Sequence, residues 1–228
     1  MRNILFILLL IVIPINGYCG AGIMGVIANQ STQTSPTISY NSFETGTNTG
    51  SGCIINVPAN TVDGDLMLIS LNNDDVGSFT TTDWVLIQQS PYSSARIGSY
   101  YRIASSEPAS YNFGTSVECS GIITLYKKTS GTWVIRNSAV GIAPPNAPSV
   151  GPVTASEGDM LVFTWGSDDP ETVITPPVDM LPTVGILVEP SSSRVGAWYQ
   201  ENVTAGDYTK SITATNESAA ILVAIGVN

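Results

Sequence analysis

Two stretches of this sequence carry the same strand pattern. Gly64-Asp65-Leu66-Met67 opens an apolar run that ends at Asn72-Asn73-Asp74-Asp75, and Gly158-Asp159-Met160-Leu161 opens one that ends at Gly166-Ser167-Asp168-Asp169. Ser94-Ala95-Arg96-Ile97-Gly98-Ser99-Tyr100-Tyr101 is echoed by Ser193-Arg194-Val195-Gly196-Ala197-Trp198-Tyr199, and Ser110-Tyr111-Asn112-Phe113 loosely by Asp207-Tyr208-Thr209-Lys210. Each copy closes on an apolar strand, Gly121 to Tyr126 and Ala219 to Val227. A duplication constrains architecture strongly and chemistry weakly.

Short runs of β-branched, aromatic and aliphatic residues alternate with Gly, Asn, Asp, Ser and Pro clusters from Thr37 onward, and no stretch sustains a period of 3.6. That pattern predicts an all-β chain: a jelly-roll-like antiparallel β-sandwich made of two related halves. Half one covers 37–130. Its runs are Ile38–Phe43, Cys53–Val57, Leu66–Leu71, Trp84–Gln88, Arg96–Ile103, Ser110–Phe113 and Ile122–Tyr126. Half two covers 131–228, with runs at Trp133–Arg136, Met160–Trp165, Gly185–Val188, Arg194–Gln200, Ser211–Ala214 and Ala220–Val227. The segment from Ser138 to Pro152, with four prolines, reads as a crossover inside one sandwich or as a linker between two small domains. A single unit is favoured, because about 80 residues make a thin core alone and stacking the halves buries a common one.

Two kinds of strand are distinguishable. Leu66–Leu71 and Met160–Trp165 are apolar at nearly every position, as strands covered on both faces are. Arg96–Ile103 alternates, with Ile97, Tyr101 and Ile103 on one face and Arg96, Tyr100 and Arg102 on the other. Its echo places Arg194, Trp198 and Gln200 on the matching second face. These six residues offer aromatic rings beside hydrogen-bonding groups, the makings of a platform for a sugar ring. The competing reading has Arg stems lying over rings on a packed sheet. Trp84, Trp133 and Trp165 are expected in packing.

The N-terminus reads as an export leader over 1–20: Arg2 supplies the positive charge and Ile4 to Ile15 the apolar core, which is shorter than the roughly 20 residues of a span. It admits three fates: removal near Gly20 or Ala21, lipidation at Cys19, or retention as an anchor extending to Ala28. The membrane is reached only through this segment. Residues 21–36 form a tether, rich in Ser and Thr from Gln30 on. Of the three cysteines, Cys53 and Cys119 remain as an even pair, which in an exported protein is a candidate disulfide tying the first strand of half one to its last. Two buried thiols are the alternative.

Lys plus Arg total 8 against 18 Asp plus Glu, a formal charge of −10, so phosphate backbones are repelled and nucleic acid is not an expected partner. The chain has no histidine. That removes Ser-His-Asp and Cys-His nucleophile systems and ordinary zinc sites. Phosphate-cradling glycine loops are missing as well, and no enzyme activity is expected. Asp74, Asp75, Asp168 and Asp169 fall at matching places in the two copies and supply the hard oxygens calcium takes, although adjacent Asp residues also simply form turns. Gly64-Asp65 and Gly158-Asp159 read as turns leading into strands. The Asn29, Asn202 and Asn216 sequons matter only in a eukaryotic host.

Val57-Pro58-Ala59 followed by Gly64-Asp65-Leu66, Asp83-Trp84, Tyr100-Tyr101-Arg102-Ile103-Ala104 and Glu107-Pro108-Ala109-Ser110-Tyr111 resembles the jelly-roll-like β-sandwich modules of bacterial extracellular proteins and phage tail and virion proteins. The resemblance covers about 36–228, and Pro177 to Pro182 replaces the aromatic turn in the second copy. It implies a structural or adhesive role at an extracellular, cell or virion surface, with further copies or other surface proteins as partners. It brings no set of catalytic residues. A carbohydrate-binding module is the alternative.

Overall fold

Alternation along the strands decides how the layers stack. The computed structural model describes residues 36–48, 52–114, 118–143, 148–168, 174–188, 193–214 and 216–228; the segment expected to be a leader and most of that expected to be a tether lie outside them. Fourteen strands and no helix occur among the described residues. Half one holds β1 (Ile38–Asn48), β2 (Cys53–Asn56), β3 (Leu66–Asn73), β4 (Val85–Tyr92), β5 (Ala95–Ile103), β6 (Ser110–Phe113) and β7 (Cys119–Lys128). Half two holds β8 (Trp133–Ala143), β9 (Ser149–Ala155), β10 (Met160–Ser167), β11 (Leu181–Val188), β12 (Arg194–Gln200), β13 (Gly206–Ser211) and β14 (Ser218–Val227).

The two halves have one topology. Half one forms a five-stranded antiparallel sheet, β1-β7-β3-β5-β4, and a pair, β2-β6. Half two repeats this strand for strand as β8-β14-β10-β12-β11 and β9-β13. First, seventh, third and fifth strands in one sheet and second and sixth in another is jelly-roll winding. The duplication extends to single hydrogen bonds. Asp65 accepts from the Val62 amide (3.0 Å) and Asp159 from the Ser156 amide (2.7 Å). Gly64 donates to the Ala104 carbonyl and Gly158 to that of Val203, both at 2.9 Å. Both glycines have φ near the left-handed region, +93° and +80°, which this turn requires.

Residues facing one way from the five-stranded sheets build a shared core. Leu66, Leu68, Ile97 and Tyr126 of half one pack there with Met160, Val162, Ile221 and Val223 of half two. The alternate residues face outward under the two-stranded layers. Met67, Ile69, Leu71 and Leu125 pack with Ile55 and Phe113 of β2-β6. Leu161, Phe163, Trp165 and Leu222 pack with Val150 and Val153 of β9. The described residues are therefore stacked four layers deep, around three main cores and a small further cluster of Ile122, Val195 and Ala197. This is why β3 and β10 are buried at all eight positions. Each half is a small sandwich in itself, and the halves stack five-stranded sheet on five-stranded sheet.

The stacking is two-fold in character: β4 meets β8, and β1 meets β11, which are equivalent pairs. A buried polar strip runs along this seam. Asn72 donates to the Ser167 carbonyl (2.9 Å) and Ser193 Oγ (3.1 Å) and accepts from Tyr92 Oη (2.7 Å). Ser99 stands between Ser70 (3.4 Å) and Thr164 (3.3 Å). The four outer strands of the large sheets, β1, β4, β8 and β11, are each interrupted by a register shift. Bulged edges resist pairing with other chains.

Three expectations need correction. The segment from Ser138 to Pro152 is not a bare crossover: it finishes β8 and holds most of β9. The sixth strand of half two is β13 at Gly206–Ser211, where the Asp207–Lys210 echo falls, rather than at the run 211–214. Cys53 and Cys119 are bonded with Cα atoms 5.9 Å apart, but Cys53 lies in β2, so the bridge ties the two layers of half one rather than its first and last strands.

Candidate functional site

The seam opens into a cleft of about 240 Å³ lined by Leu66 and Tyr101 of half one and Trp133, Val134 and Ile135 of half two. Leu66 begins β3, Tyr101 is near the end of β5, and the other three begin the outer strand β8. All five linings are uncharged. Val85 and Ile103, 51% and 39% exposed, sit beside this opening by strand register, Val85 paired with Tyr101 and Ile103 with Leu66. The Trp133 indole spans the seam: Nε1 donates to the Gly64 carbonyl at 2.8 Å. Lys128 Nζ lies 5.3 Å from the centre of its ring and donates to the Gly131 carbonyl, which holds the indole as a wall.

Two nearby charges are neutralised in ion pairs. Lys127 pairs with Asp65 at 2.7 Å, and Arg136 with Asp159 at 3.1 Å. Arg136 is the extra residue of the β8 bulge, since Asn137 and Ile135 pair with successive residues of β14.

The platform residues do not form a surface. Tyr100 is 5% exposed and packs against Phe79 in the outer core of half one, its hydroxyl 3.3 Å from Gln89 Oε1. Trp198 is 1% exposed, edge-on to Phe163 in the outer core of half two. The alternation assigned their faces correctly, but the outer cores of the two halves bury Tyr100 and Trp198 on those faces. Arg96 caps the Val76 carbonyl (2.8 Å), and Arg194 and Gln200 are half-buried. Arg102 bonds Glu107 at 2.9 Å and lies over the Tyr111 ring at 5.8 Å. Burial pushes the Glu107 carboxyl up, but bonds from Tyr111, the Ser105 amide and Arg102 outweigh it and hold it below its ordinary value.

Asp75 closes a turn by accepting from the Gly77 amide (3.1 Å), and Asp168 accepts from Ser94 Oγ (2.5 Å). Asp169 lies outside the described residues. Among the described residues no group of three or more acidic or cysteine side chains is placed to hold a metal ion.

Sequence reasoning put Tyr101 on an apolar face and Trp133 in packing, and did not bring them together. The missing signal was an alignment of β1 with β8, which share almost no residues. Comparison with protein-family models, with curated proteins and with solved structures finds no match.

Proposed function

We propose that this chain is a non-enzymatic structural or adhesive subunit of an extracellular or virion surface assembly, exported through its leader and joined to other copies or other surface proteins. The observation that carries this reading is the four-layer stack. Both faces of both large sheets are covered, the halves are keyed by buried polar contacts, and half one is cross-linked. Such a block is stiff. Its bulged edges suit controlled contacts through side chains better than open-ended strand pairing. Its surface is acidic and sparsely charged, which disfavours polyanionic partners.

The test is the location and size of the native protein. Fractionating the producing culture into cells, particles and medium, then sedimenting each, should find the chain on particles or envelopes and in complexes larger than its monomer mass. A free monomer in the medium, absent from every particulate fraction, rejects the assembly reading.

A further inference from the structure

The cleft has a counterpart elsewhere in the molecule, and there it is filled. Tyr40 pairs with Tyr126, which pairs with Leu66; Ile135 pairs with Ile225, which pairs with Met160. Leu66 and Met160 are equivalent, so Tyr40 and Ile135 are equivalent. Both are followed by the same bulge, at Asn41 and at Arg136. The partners correspond too: Tyr199 is the echo of Tyr101. On one side of the seam the Tyr40 ring stacks on Tyr199, centroids 4.7 Å apart and planes inclined by 27°. On the other side Ile135 stands opposite Tyr101, and the space a phenol ring fills in the first arrangement is open.

We propose that the Tyr101–Ile135 cleft is a binding site for one aromatic ring, a Phe or Tyr side chain of a neighbouring subunit, which stacks on Tyr101 as Tyr40 stacks on Tyr199. The rim supports an uncharged, apolar guest. On the filled side Glu201 accepts from the Tyr40 amide at 2.9 Å. Its equivalent beside the cleft is Ile103, 39% exposed, with Val85 next to it. Trp133 replaces the smaller Ile38 and supplies a second aromatic wall. The site itself follows from the internal comparison; the source of the ring rests on the assembly reading.

The experiment uses the mature protein and 4-fluorophenol, observed by fluorine NMR. Saturable line broadening is expected. It should weaken more than tenfold in Ile135→Tyr, which supplies the ring internally and should fold, since the other half already accommodates a tyrosine at this place. Methyl glucoside should not compete. An absence of saturable broadening, equal broadening in Ile135→Tyr, or displacement by the glucoside overturns the aromatic site. The same variant should be released folded but be depleted from the particulate fraction. Normal incorporation, with fluorophenol binding intact in the parent, overturns the neighbouring subunit as the source. A parent chain found only as free monomer overturns that source as well, together with the assembly reading, whatever the NMR shows.

Discussion

Asn72 and Gly166 occupy equivalent positions in the two halves and face each other across the seam. A Cβ at 166 would lie 2.5 Å from Asn72 Oδ1. Two asparagines cannot share this place, so the duplicated copies have diverged to one polar key and one gap. Gly166→Ala should destabilise by about 1–3 kcal/mol through overpacking. Asn72→Ala should also destabilise, because it removes the donor to the Ser167 carbonyl and the acceptor of the Tyr92 hydroxyl across the seam. In the double variant the clash is gone, so the two costs should not add. Urea unfolding of the four proteins measures that coupling, and additive effects would show that the two residues do not interact.

The bridge between Cys53 and Cys119 closes a separation of 66 residues. A cross-link of that length restricts the unfolded chain by about 4 kcal/mol in the chain-entropy account. Replacing both cysteines by alanine should lower the denaturation midpoint correspondingly without altering the far-ultraviolet spectrum. An unchanged midpoint would mean that the bridge contributes little beyond the packing of Ile55 and Phe113.

All seven strands of half one were legible because each is a continuous or alternating apolar run bounded by turn residues. β9 was hidden by Pro148 and Pro152, which normally mark a break; in a two-stranded layer a strand has one free edge, and proline is tolerated there. β13 shows only as the loose echo of Ser110–Phe113 at Asp207–Lys210, because Asp207, Thr209 and Lys210 leave it almost no apolar face. The faces of β5 and β12 were assigned correctly while their exposure was not. Alternation tells which residues share a side, but not what lies over that side. The cleft was illegible for a related reason: it exists because two equivalent positions differ, and that equivalence becomes visible only through strand pairing.

Arg136 and Asp159 tie the β8 bulge to the turn that precedes β10. The Asp159 side chain is 3% exposed and that of Arg136 is 26% exposed. Arg136→Ala leaves a carboxylate nearly out of water. Partial exposure of the arginine reduces the effect below that of a fully buried pair, so the expected loss is about 2 kcal/mol. Adding Asp159→Asn should recover part of it, measured by thermal unfolding. No recovery would mean that the arginine acts through its bonds to Val227 and Asn228 rather than through its charge partner.

Glu107 gives the fold an acid-sensitive element. Its carboxyl is held below the ordinary value in the folded chain, so the unfolded chain binds the proton more tightly. The stabilisation is complete above the unfolded-state pKa and is lost as pH falls through the folded-state pKa. Stability should therefore decline on acidification below about pH 4.5. Glu107→Gln should be less stable at neutral pH, by about 2 kcal/mol, with a flatter acid limb. Parallel acid limbs in the two proteins would assign the decline to other carboxylates.

Tyr40→Ala should turn the filled side of the seam into a copy of the open one. The ring is half-buried and stacked on Tyr199, so its loss should cost about 2 kcal/mol, below the value for a fully buried aromatic. Burial first, and then Glu201, raise the Tyr199 pKa above its ordinary value. Removing the ring that helps cover Tyr199 should let its ionisation move back down, which alkaline absorbance titration detects. The variant should also bind a second equivalent of 4-fluorophenol and regain part of the lost stability in its presence. A single equivalent, or no stabilisation, would show that the stack is dispensable and that the two sides of the seam are not alike.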